Sequence, residues 1–143
     1  IDGATRMAYA EVLADERTAS VVGFLERAVA HFAGLGIVTQ RLMTDNGPAY
    51  RSHLHAGACR ALGIRHIFTR PYRPRTNGKV ERLIQTLLRE WAYAGAYPTS
   101  AARTRALAGY LDWYNTTRPH KSLDGEPPAE RLAERINAAA SDT

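Results

Sequence analysis

The chain has 143 residues, 45% of them apolar and 23% charged, and a formal net charge of +5. That length and balance fit one ordinary globular domain with one core. Its single cysteine excludes an internal disulfide framework and favours a reducing compartment. No apolar run approaches the ~18 residues of a membrane span, and the N-terminus lacks the basic-then-apolar order of a signal peptide, so a soluble protein is expected.

In chain order, Met7 to Leu13 reads as a strand, with Met7, Tyr9, Glu11 and Leu13 alternating against Ala8, Ala10 and Val12. Glu11 leaves that face only partly buried. A helix is predicted from Thr18 or Ser20 through Phe32, with Val21, Val22, Leu25, Ala28, Val29 and Phe32 on its apolar side and Gly34 and Gly36 as stops. Residues 37–43 read as the next strand. Pro48 suits the first turn of a helix reaching about Leu62, ended by Gly63. Arg65 to Phe68 is a short strand. A basic loop follows, carrying Arg70, Arg73, Arg75 and Lys79 and stiffened by Pro71 and Pro74. Asn77-Gly78 is a plausible helix cap. Beyond it Val80, Leu83, Ile84, Leu87, Leu88 and Trp91 form one apolar helical face. Tyr97-Pro98-Thr99 breaks the pattern before a long helix from Ala101 to Tyr114, and a short helix near Ala129 to Ala139 closes the chain. The final residues are expected to fray. Alternating strands and helices predict an α/β sheet domain, with no repeat and no interdomain linker.

Two carboxylates stand out. Asp45 ends a short apolar run at Thr44-Asp45-Asn46-Gly47, where Asn46 and Gly47 tolerate the positive φ of a turn. It therefore falls at a strand's C-terminal edge, where open α/β sheets place ligand sites. Glu81 lies on the first turn of the helix after the basic loop, beside its apolar face. An exposed Glu there also simply favours the helix dipole, and an Asp before Asn-Gly also simply shapes a turn. The charge distribution adds weight. Residues 60–90 carry eight Arg or Lys against Glu81 and Glu90, a local +6, while the other 112 residues sum to −1. Nucleic acid is the natural partner of such a patch.

Thirty-five residues, positions 46–80, separate Asp45 from Glu81. The pair TDNG and NGKVER at this separation resembles the second and third carboxylates of the DD(35)E transposases and retroviral-type integrases. Asp2-Gly3-Ala4-Thr5-Arg6 is similar to the strand-to-turn signature of bacterial insertion-sequence transposases. Tyr114-Asn115, Arg118-Pro119-His120, Leu123 and Pro127-Pro128 resemble their C-terminal tail, so the likeness covers nearly the whole chain.

The resemblance implies a ribonuclease-H-like mixed sheet flanked by helices, with residues 1–117 as a catalytic core lacking its first strands and 118–143 as its tail. It implies DNA cleavage and strand transfer in the movement of an insertion sequence. Asp45 and Glu81 would hold two Mg²⁺ or Mn²⁺ ions. Arg70, Arg73, Arg75, Lys79 and Arg82 would contact phosphates, and Asn46, Gly47, Asn77 and Gly78 would shape the turns that aim the carboxylates. Transposon ends and target DNA, a homo-oligomer, and a bacterial cytoplasm with nucleoid association are implied in the same way. The family's first catalytic Asp matches no residue in this chain and is expected upstream of Ile1; Asp2 belongs by resemblance to the exit turn of the second strand. Missing strands would leave a sheet edge and apolar helix faces uncovered, so the chain is expected to be poorly stable.

A DNA-binding remnant without metal chemistry is the alternative from a different class. Tyr114 with Arg118 and His120 could suggest a tyrosine recombinase, but the basic set such an enzyme needs is not in evidence; Trp113 and Tyr114 are expected to pack the last long helix and His120 to fix the tail turn. His53, His55 and Cys59 suggest metal ligands, but too few of them for a zinc site. The chain has neither a P-loop nor a Gly-x-Ser-x-Gly motif.

Overall fold

A computed structural model describes residues 1–70 and 78–141. The expectations for Pro71, Arg73, Pro74, Arg75, Asn77 and the last two residues lie outside the described residues. The chain divides into two compact units, one of residues 11–78 and one of residues 1–10 together with 79–143.

In the continuous unit, α1 spans Thr18–Gly34. It is followed by β1 (Arg41–Thr44), α2 (His53–Ala61) and β2 (Arg65–Phe68). The two strands pair in parallel, Arg41 against Arg65 through Thr44 against Phe68, with α2 as the crossover. Leu25 of α1, Cys59 of α2 and Ile64 form the buried core, covered by Val29, Leu42 and Ala58. β1 starts later than the sequence predicts, at Arg41 rather than at 37, because the ladder is limited to four residue pairs. α2 also starts later than Pro48 suggests. Its cap is Ser52, whose hydroxyl accepts from the His55 amide, while residues 48–52 form turns. Gly63 ends it at φ 69°, a left-handed conformation that favours glycine.

The other unit contains α3 (Gly78–Leu87), a π-helical turn (Leu88–Ala92), α4 (Ser100–Thr116), a short 3₁₀ turn (Lys121–Leu123) and α5 (Pro128–Ser141). Thr99 caps α4, its hydroxyl accepting from the Ala102 amide. Leu83, Ala8 and Tyr114 form the core, with Ile1, Leu87, Tyr110 and Leu111 packed on it. The apolar face read for α3 is only half used. Leu83 is buried, but Ile84 and Leu88 stay exposed.

The expected strand at Met7 to Leu13 does not form. A strand needs a ladder, and no described strand pairs with this stretch. At Ala8 a side chain takes the ladder's place. The Asn115 amide accepts from the Ala8 N–H at 2.8 Å and donates to the Ala8 carbonyl at 2.9 Å. That satisfies both backbone groups of a residue only 1% exposed.

The tail fastens onto the same unit. Arg118 makes a bidentate pair with Glu90, at 2.8 and 2.7 Å, and the Tyr110 hydroxyl donates to the same carboxylate at 2.8 Å. His120 packs edge-on against Tyr114, with ring centroids 4.7 Å apart, and its backbone N–H donates to the Glu126 carbonyl. Tyr114 thus packs the last long helix and His120 fixes the tail turn, whereas Trp113 packs only in part, 43% exposed with its ring against Tyr110.

Candidate functional site

Asp45 and its turn belong to the continuous unit, Glu81 to the other. Asp45 follows β1 directly and is exposed. Its Oδ1 accepts from the Gly47 amide at 2.8 Å, which fixes the carboxylate's direction. A side chain at 47 would crowd it, since a Cβ there would lie 3.0 Å from Asp45 Oδ1 and 3.4 Å from the Tyr50 ring. Burial, and then the charge of Asp45, push the Tyr50 hydroxyl's pKa up, keeping that neighbour neutral. Asn46 turns the other way and donates from Nδ2 to the Thr69 carbonyl at 2.7 Å. The Thr69 amide in turn donates to the Thr44 carbonyl at 2.8 Å. These two bonds staple the turn after Asp45 to the residue before Arg70, which is exposed.

Glu81 lies on the first turn of α3, exposed, and makes no hydrogen bond or ion pair to a described residue. Arg82 beside it is exposed too. Gly78 is the first residue of α3, with open space where its Cβ would be. Lys79 is tied back to the N-terminal turn, its Nζ donating to the Gly3 carbonyl at 3.0 Å. That turn is the Asp2-to-Arg6 motif. Asp2 Oδ2 accepts from the Thr5 amide at 2.9 Å and the Thr5 hydroxyl at 2.5 Å, and Arg6 sits at φ 66°. The Asp2 carboxylate is spent on its own turn. Asp45 and Glu81 are each exposed carboxylates, and a carboxylate oxygen is a ligand type that suits hard cations such as Mg²⁺ or Mn²⁺.

Sequence reasoning missed two groups. Glu90 counts there only as a charge, yet it is the anion that Arg118 and Tyr110 share, and Arg118 holds its carboxyl below the usual range. The Arg in the tail motif signals that an anion must lie nearby. The second is His66, which joins His55 and Cys59. Their ligand atoms lie within 4.8 Å of one another. Burial pushes both His pKa values down and the Cys59 thiol's up.

A parallel βαβ unit with an aspartate at the strand end, and a separate helix opening on a glutamate, belong to an α/β fold that matches the ribonuclease-H-like core of retroviral integrases. The chain belongs to the integrase core domain family, whose models match residues 1–74 and 62–128. It is 30% identical over 100 residues to the Escherichia coli transposase InsD for insertion element IS2D, a match covering 70% of this chain and 33% of that protein. A protein of insertion element IS136 from Agrobacterium tumefaciens is 30% identical over 88 residues, 62% of this chain and 45% of its own. The catalytic core domain of BIV integrase superposes with a TM-score of 0.72 at 27% identity, covering 95% of this chain and 84% of that one. A chain of the simian T-cell lymphotropic virus intasome matches with a TM-score of 0.62 at 28% identity, over 82% of this chain and 41% of that one. The chain spans less than half the length of the insertion-element relatives named here. Among the described residues no helix is long and apolar enough to cross a membrane.

Proposed function

We propose that this chain is part of the catalytic core of a DDE-type transposase that cuts DNA and joins the freed end to a target. The observation that carries the reading is the exposed Asp45 carboxylate, held by the Gly47 amide at the C-terminal edge of β1, in a chain of the integrase core family. Asp45 and Glu81 would each hold a divalent ion, with Mg²⁺ or Mn²⁺ as the expected cofactor. When bound, such ions activate the attacking oxygen and stabilise the leaving oxygen. In the first step water attacks a phosphodiester and the bond to a 3′-oxygen breaks, leaving a 3′-hydroxyl. In the second, that hydroxyl attacks a target phosphodiester and displaces another 3′-oxygen. Phosphodiester bonds are conserved in number in the second step, so it needs no external energy source.

The chain's own residues position and bind. Gly47 and Asn46 aim Asp45 and tie its turn to the start of the basic loop. Arg70, Arg73, Arg75 and Arg82 contact phosphates and supply affinity without sequence readout. Lys79 donates one proton to Gly3 and has two more for a phosphate. Residues 1–117 act as the core and 118–143 as the tail that locks it. Transposon ends and target DNA are the partners, an oligomer brings paired ends together, and the bacterial cytoplasm, at the nucleoid, is the place of action.

The test is Mn²⁺- or Mg²⁺-dependent nicking of duplex DNA by this chain and by the complete reading frame that contains it, each with Asp45→Asn and Glu81→Gln variants. Cutting by the complete protein that both substitutions abolish supports the reading. Cutting that survives either substitution overturns the assignment. Salt-sensitive DNA binding without cutting in any form identifies a non-catalytic remnant instead.

A further inference from the structure

We propose that His55, Cys59 and His66 form a second metal site, for a borderline-soft divalent ion such as Zn²⁺ and separate in chemistry from the carboxylate pair. Two of the ligands come from one helix. His55 and Cys59 are four residues apart on α2, so they share a face, with Cys59 Sγ 3.8 Å from His55 Nδ1. The third comes from the neighbouring strand β2. All three ligand atoms lie within 4.8 Å of one another, with His55 1% and Cys59 3% exposed. A tetrahedral zinc ion, with bonds of about 2.0–2.3 Å, sets its ligand atoms about 3.5 Å apart. The cluster therefore needs to close by about an ångström, within the reach of a side-chain rotation.

The hydrogen bonds around His66 favour ligation. The Thr44 hydroxyl has one proton, and it donates that proton to the Asp45 carbonyl at 2.9 Å. In that arrangement His66 Nε2, 2.7 Å from the same hydroxyl oxygen, is the donor to it. With the Thr44 proton on the Asp45 carbonyl, His66 takes the Nε2–H tautomer, which leaves the Nδ1 lone pair for a ligand. A metal-binding histidine whose other nitrogen donates to a fixed acceptor is the usual arrangement. The donor set of two imidazoles and a thiol differs from the carboxylate set: it suits Zn²⁺ or Co²⁺ and is a poor match for Mg²⁺. Three protein ligands leave one tetrahedral position for water. An ion here would clamp α2 to β2. Through Thr44 it would also steady the backbone of Asp45.

The bland reading is a packed group of rings, since Tyr50, His55, His66 and Phe68 make successive contacts with centroids 5.4, 4.8 and 4.2 Å apart. Co²⁺ spectroscopy on the tag-free chain separates the two. The metal site predicts one equivalent of Co²⁺ with intense tetrahedral d–d bands and a thiolate-to-cobalt charge-transfer band. Stoichiometric Zn²⁺ should bleach both, excess Mg²⁺ should leave them, and the thermal midpoint should rise with Zn²⁺. Cys59→Ser should remove the charge-transfer band and His66→Gln should weaken binding by at least tenfold. His53→Ala, on the exposed side of α2, and Asp45→Asn should change neither. Octahedral, weak spectra from the folded wild-type chain would overturn the proposal whatever the variants do, as would undiminished binding by His66→Gln. Because the readout is spectroscopic and survives Asp45→Asn, it stands or falls independently of DNA cleavage.

Discussion

The Asn115 amide is the sharpest place to test how this chain manages without a ladder at Ala8. Asn115→Ala removes both bonds to Ala8, at 2.8 and 2.9 Å, and leaves the N–H and C=O of a residue 1% exposed with no partner from that side chain. A buried polar group left unsatisfied costs about 1–3 kcal/mol. Partial entry of water tempers two adjacent losses, so the expected destabilisation is about 2–4 kcal/mol. Trp91 and Trp113 belong to the same unit as Asn115, so tryptophan fluorescence during urea unfolding reports on it directly. The midpoint should fall with little change in slope. Asn115→Asp should cost at least as much, because it keeps an acceptor for the Ala8 N–H but turns the donor into a charge facing a carbonyl. Thr116→Ala, one residue on and exposed, is the control. A loss below about 0.5 kcal/mol for Asn115→Ala, the usual range of neutral surface changes, would refute the claim that the amide stands in for a strand.

Two further outcomes follow from the geometry. Arg118 depresses the Glu90 pKa below its ordinary 4.5, so the pair's contribution is complete above that value and is lost as pH falls through the lower folded value. Glu90→Gln should therefore lower stability near neutral pH and flatten the acid limb of a pH series of thermal melts; an unchanged acid limb would show that the pair is not linked to folding. Gly47→Ala places a Cβ 3.0 Å from Asp45 Oδ1. In the complete protein it should cut metal-dependent nicking on the order of 10²-fold, as misplacement of a reacting group does, with near-normal circular dichroism; undiminished nicking would show that the carboxylate's direction is not critical.

Much of the fold was legible because local signals and tertiary structure agree. The strand at Arg65 to Phe68, the helix from Thr18 and the break at Tyr97 to Thr99 stand where periodicity and caps put them. Where they parted, a nonlocal partner decided. Alternation over Met7 to Leu13 marks an extended, half-buried segment but cannot say what pairs with it, and the partner at Ala8 proves to be a side chain 107 positions away. Pro48 marked the helix start in the sequence, whereas Ser52 holds the capping bond. Asn-Gly marked the bend after Asp45, but neither residue takes the positive φ expected there, and the bend is held by the Gly47 amide donating to the Asp45 carboxylate. His66 was not readable as a neighbour of Cys59, because the two meet only once β2 packs against α2. The π-helical turn at Leu88–Ala92 left no periodic trace that could distinguish it from a continuing helix.

The chain order of the two units sets the order in which they can form. Residues 11–78 are continuous, and they leave the ribosome whole before α4 emerges. The other unit closes only when the first ten residues meet a helix synthesised about a hundred residues later. Loop closure costs about 0.6 kcal/mol more for each doubling of loop length, and such distant contacts slow folding. During synthesis, therefore, Asp45 is set in its turn while Glu81 still awaits the helix that buries Ala8. The N-terminal ten residues remain without their partner until Asn115 emerges.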